Sequence, residues 1–427
     1  MTDPFSGGFD PRMFENVPLF RELAKVMSWS GGPVNWEIAT QTALAVTAQG
    51  GGGVGEKQGG PGREVGPGGE RATEELTAAV RTGELWLDQV TGLPQVEGRA
   101  RALSLEEWVR LACASAGLGV YVEPVAEGMR EALGRQLPEQ LAQMGGGAGA
   151  AGGPLGQALD SFGAMMYGVQ LGAVAGHLAG QLLGTYDLGL PTLEPRLVGT
   201  VGDTARRFAG EYGFDQTELR YWLALRESAH RRQFAGVPWL REHVAGLIRR
   251  FAADADFDPG GLMEQLGGMS MGAELADPDA LREALEGPDA FRVEPTTAQR
   301  ATLARLQAVV AFTESWTDTV VRAAGTGKLT ALPRIEEAVR RRRAEQGPGE
   351  RMLQQLIGLD LKPADVRVGQ SFCDAVIAAR GQEGLDRAWE APASLPTPAE
   401  LSEPSRWLVR MAAAELDAQL GPADDGE

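Results

Sequence analysis

Residues Trp222–Phe234 read W-L-A-L-R-E-S-A-H-R-R-Q-F. At their centre, Arg226-Glu227-Ser228-Ala229-His230 fits the frame H-E-x-x-H, with an arginine where the first histidine belongs. In the intact frame, histidines at i and i+4 share one helix face and hold a zinc ion. The glutamate beside the first one polarises the metal-bound water. At about 100° per residue, Leu219, Trp222, Leu223, Arg226, His230 and Phe234 fall on one stripe of a helix. Arg220, Tyr221, Ser228 and Arg231 lie opposite. Arg226 and His230 therefore point with the apolar residues, toward a core. A buried arginine needs a carboxylate partner.

A second helix can supply it. Thr297–Ala324 is strongly periodic, with Leu303, Leu306, Val310, Glu314 and Val321 on one stripe and Asp318 at its edge. Glu314 and Asp318 are thus two carboxylates one turn apart on a core-leaning face. In a metal site Glu314 would ligate and Asp318 would orient a ligating histidine. In an ion pair, either would take the fork of the Arg226 guanidinium.

The whole chain excludes several alternatives. Its 427 residues allow two or three domains, and 43% hydrophobic with 23% charged residues is a globular composition. A net charge of -18 argues against nucleic acid and anionic membrane surfaces, which call for clustered basic charge. Two cysteines, Cys113 and Cys373, are too few for a disulfide framework or a thiolate metal site. Met1–Pro11 has no apolar run, and Ser161–Tyr186, though free of formal charge, carries too many glycines for a membrane span. The expected location is the cytoplasm. With three histidines and no well-placed Ser or Cys, a nucleophilic triad has no support. Ala324–Leu329 matches a phosphate loop only faintly, because Arg322 and Leu329 stand at two required positions.

Along the chain the pattern is mainly α, with many helices and little or no β-sheet. Residues 1–49 read as N-terminal helices, 50–70 as a disordered Gly-rich loop, and 71–144 as a helical region with a capping box at Ser104–Glu107. A Gly-rich linker at 145–156 precedes the core, 157–420, and a frayed tail at 421–427. Within the core, Gly168, Gly172, Gly176, Gly180 and Gly184 recur every fourth residue, a smooth ridge for close backbone approach. Leu197–Gly213 reads as a short helical region and Leu361–Val368 as extended chain.

Further stretches accompany the central frame: Pro33–Trp36, Tyr186–Pro191, Phe234–Arg241 with its P-W-L-R segment, and Arg340–Arg343. With Glu227–His230 and Glu314–Asp318, they make the chain similar to the zincin-like metallopeptidases of actinobacteria. The resemblance implies a zincin-like active-site helix pair, zinc as cofactor and a peptide or protein as substrate. Carried over, Glu227 would be the general base, and His230 and Glu314 would be metal ligands. Arg226 departs from the pattern at the first ligand. A guanidinium neither coordinates nor deprotonates near neutral pH. The alternative implied is a pseudo-peptidase that binds a peptide or protein, with Arg226 paired to Glu314 or Asp318 in place of any metal.

Overall fold

A computed structural model describes residues 31–50, 69–128, 130–131, 154–254, 296–345, 347–357 and 363–420. The segments expected as a loop at 50–70 and as a tail at 421–427 lie almost wholly outside them, as does most of the 145–156 linker; Pro154 already opens a helix.

Helices α1 (Trp36–Gly50), α2 (Glu70–Leu87) and α3 (Leu105–Ala112) form the N-terminal part. The Ser104 hydroxyl accepts from the backbone N–H of Glu107 and the Glu107 carboxylate from that of Ser104, so the capping box is made. Next come α4 (Pro154–Ala179), α5 (Gly202–Tyr212), α6 (Gln216–Phe234) and α7 (Leu240–Ala253). Then follow α8 (Thr297–Gly325), α9 (Leu332–Glu345), α10 (Pro348–Ile357) and α11 (Pro363–Asp386). Two further helices, Pro398–Ser402 and Pro404–Leu420, end the described chain. The architecture is mainly α.

The glycine ridge sets the closest helix contact. A Cβ at Gly168 would lie 2.6 Å from the Asn35 carbonyl oxygen, at Gly172 2.5 Å from that of Ala39, and at Gly176 2.8 Å from that of Ala43. Three successive rungs of α4 thus rest on the chain at and within α1. Packing at this distance offsets the roughly 1 kcal/mol that each interior glycine costs a helix.

Three stretches differ from their expected form. Leu197–Val201 is a strand, β2, and only from Gly202 does helix begin. Arg99–Leu103 is a strand too, β1, inside a region read as helical, and the two pair in parallel with Arg99 opposite Leu197 and Leu103 opposite Val201. Parallel strands need a long crossover; here α3 and α4 lie within it. Gly184 bridges Thr200 on the other edge of β2, so residues 183–185 run beside it. Pro363 opens α11 rather than continuing extended chain, as proline does at a first helical turn.

Helix α6 is the buried centre. Asp215 caps it, accepting from the N–H groups of Thr217 and Glu218. Every residue from Trp222 to Phe234 is buried, including Ser228 and Arg231 on the face opposite the apolar stripe. That face is covered by α2, whose Glu84 carboxylate takes Arg231 at 2.6 Å and Arg232 at 2.5 Å. Helix α8 and strand β2 also pack against α6.

Candidate functional site

Helices α6 and α8 bring Arg226, His230 and Glu314 together. Arg226 Nη2 donates to both Glu314 oxygens, at 2.9 and 3.1 Å, and Nη1 lies 2.7 Å from His230 Nε2. His230 Nε2 is 3.2 Å from Glu314 Oε1. A second guanidinium comes from α9. Arg343 approaches Glu314 Oε2 at 2.8 Å, as an ion pair without the angle of a directional hydrogen bond, and donates to Asp318 at 3.1 Å. Asp318 thus serves Arg343, and Arg226 serves Glu314. Arg226, His230 and Glu314 are 1%, 0% and 5% exposed, out of reach of bulk water, whereas Arg343 and Asp318 are partly exposed.

Burial pushes the Glu314 carboxyl up, but the Arg226 and Arg343 guanidinia outweigh it and hold the carboxyl well below the usual range. His230 moves down, first because burial disfavours a charged imidazole and then because Arg226 sits beside it. Glu314 is therefore an anion and His230 neutral at neutral pH.

Glu227 lies apart from this group, turned to the chain that ends at β2. Its Oε2 accepts from the Thr185 N–H at 2.9 Å and the Thr185 hydroxyl at 2.5 Å, and Oε1 accepts from the Tyr186 N–H at 3.3 Å. A Cβ at Gly184 would lie 2.2 Å from Oε1, so any larger residue there would displace the Glu227 carboxyl from these donors. Burial, with Asp187 nearby, raises the Glu227 carboxyl to about 8 against the two Thr185 donors and the Arg226 charge.

Residues that the stripe reading did not single out complete the site. Tyr186 stacks on His230 with ring centroids 5.1 Å apart and an 8° interplanar angle, and its hydroxyl donates to the Pro195 carbonyl. Gly189, at φ 72°, turns the chain where a Cβ would meet Val310 at 2.8 Å and Glu314 at 3.0 Å. Both belong to the Tyr186–Pro191 stretch quoted for the resemblance, which was their signal in the sequence. Gln233, fully buried, faces His230 Nδ1 at 3.2 Å, and Thr317 lies 3.3 Å from the same atom.

A catalytic zinc takes three protein ligands and one open position. In this frame His230 and Glu314 are donors, and the third position is a guanidinium already bonded to both. Among the described residues no group of three His, Cys, Asp or Glu side chains is arranged to hold a metal ion. The donor set does not fit the metal that the frame implies.

A mainly helical protein in which α6 and α8 bring Arg226, His230 and Glu314 together is the class that fold and site define. A family model described as zincin-like metallopeptidase matches residues 34–408, and the chain belongs to that family. A crystal structure from Chloroflexus aurantiacus, described as "a putative hydrolase with a novel fold", shares the fold. The match has a TM-score of 0.59 and 23% identity, and covers 89% of this chain and 99% of that one. No curated protein sequence matches significantly.

Proposed function

We propose that this chain is a non-hydrolysing member of its family, a pseudo-peptidase that binds a peptide or protein segment. The family name supplies the ligand class. The observation that carries the reading is the Arg226 guanidinium, within 2.7 Å of His230 Nε2 and 2.9 Å of Glu314, a fixed positive charge where two would-be ligands converge. A second observation supports it. Glu227, the expected base, spends both oxygens on Thr185 and Tyr186 and has none directed at the His230–Glu314 pair. Two buried, unpaired cysteines favour a reducing compartment, in keeping with a cytoplasmic location. No helix among the described residues is long and apolar enough to cross a membrane.

The test is hydrolysis of a library of unstructured fluorogenic peptides, with zinc added, by the wild type and by Glu227→Gln. The expected result is no turnover above blank in either. Turnover by the wild type that Glu227→Gln abolishes would overturn the reading.

A further inference from the structure

Arg226, His230 and Gln233 form a row of hydrogen bonds whose direction is set at one end. The backbone carbonyl of Thr313, on α8, can only accept, and it takes Gln233 Nε2 at 3.0 Å. That fixes which way the amide faces, a choice that side-chain shape alone leaves open. Gln233 Oε1 is then the atom 3.2 Å from His230 Nδ1. An amide oxygen is an acceptor, so Nδ1 carries the ring proton. The Thr317 hydroxyl, 3.3 Å from Nδ1 and 3.4 Å from Oε1, donates to the same oxygen and leaves its own lone pair toward the Nδ1 proton. A neutral imidazole has one N–H, so Nε2 presents a lone pair, and Arg226 Nη1 donates to it at 2.7 Å. The 3.2 Å approach of Nε2 to Glu314 Oε1 is then that of two acceptors sharing one guanidinium.

We propose that Gln233 is the positioning residue of this site, clamping His230 in the Nδ1–H tautomer so that Nε2 receives the Arg226 guanidinium. The polarity originates in a main-chain carbonyl of α8, which no rotamer change can reverse. Gln233 lies one turn after His230 on α6, is fully buried, and bonds to both helices. Tyr186, stacked on the imidazole face, restrains the ring plane but cannot choose its tautomer. The inference rests on the proposed function only in taking Arg226, His230 and Glu314 as the functional group; its test involves neither metal nor peptide.

The experiment is nitrogen NMR of the full chain labelled at histidine. The sequence has three histidines, and His177→Gln and His243→Gln variants assign the third. The wild type should show His230 with a pyrrole-like Nδ1 and a pyridine-like Nε2. Arg226→Met removes the donor that itself demands a lone pair at Nε2 and should leave the Nδ1–H form in place. Gln233→Met added in that background removes the acceptor and should move His230 toward Nε2–H or a mixture. Gln233→Glu in the same Arg226→Met background, its second oxygen protonated to donate to the Thr313 carbonyl, keeps an acceptor at Nδ1 and should retain the wild-type tautomer, a rescue that a merely space-filling residue would not produce. An Nε2–H form in the wild type would overturn the proposal, even if the variants fail to fold. So would an unchanged tautomer in the folded double variant Arg226→Met with Gln233→Met. A wild-type Nδ1–H signal alongside peptide turnover would leave this inference standing and overturn the proposed function alone.

Discussion

Arg226 decides what this helix pair can do. An arginine on a core-facing stripe demands an acid, and α8 answers with Glu314, one of the two acids the sequence named. The other named acid, Asp318, goes to Arg343 on a third helix, within the Arg340–Arg343 run quoted for the resemblance but not placed beside the helix pair. Removing one member of a buried pair strands the other. Arg226→Met should therefore destabilise the protein by about 3 kcal/mol, the low end for buried pairs because Arg343 still faces Glu314. Arg226→Lys should recover only part of this, since an ammonium cannot fork onto the carboxylate and also reach His230. Urea unfolding of the three proteins checks both, and a Lys variant as stable as the wild type would deny the fork its role. Gln233 was illegible for a different reason. An amide beside a histidine on a helix is commonplace, and its significance lies in a backbone carbonyl about 80 residues away.

At the scale of elements, the clearest sequence signal was the glycine period in α4. It marked close helix packing, and three of its rungs meet main-chain carbonyl oxygens at or just before α1. Not every glycine of that helix is used. Gly163 has nothing within 4 Å of a built Cβ, whereas Gly172 would meet the Ala39 carbonyl at 2.5 Å and the Thr42 side chain at 2.6 Å. Gly163→Ala should stabilise the protein by about 0.5–1 kcal/mol through helix propensity. Gly172→Ala should destabilise it by about 1–3 kcal/mol through overpacking. Thermal unfolding of the pair separates propensity from contact, and equal shifts would mean the ridge does not carry the packing. The two strands were missed because each is five residues long and β1 reads R-A-R-A-L, with no apolar run. Their pairing joins positions nearly 100 residues apart, and no local pattern encodes that register.

For the whole molecule, α6 is the member that ties the N-terminal and C-terminal parts together. Through Arg231 and Arg232 it holds Glu84 on α2, and through Arg226 it holds Glu314 on α8. Each buried arginine has an acid on a different helix, so charge satisfaction specifies which elements neighbour the central one. The stripe on α6 was legible; the burial of every residue from Trp222 to Phe234 was not, because a charged opposite face reads as solvated until Glu84 is placed against it. On the proposed reading the same wiring leaves the junction independent of any bound ion, and one measurement tests that directly: metal content of the purified wild type after incubation with zinc and gel filtration, beside Arg226→His. The account predicts no stoichiometric zinc in the wild type and zinc gained when a histidine replaces the guanidinium. Stoichiometric zinc in the wild type that disappears in His230→Ala would contradict it.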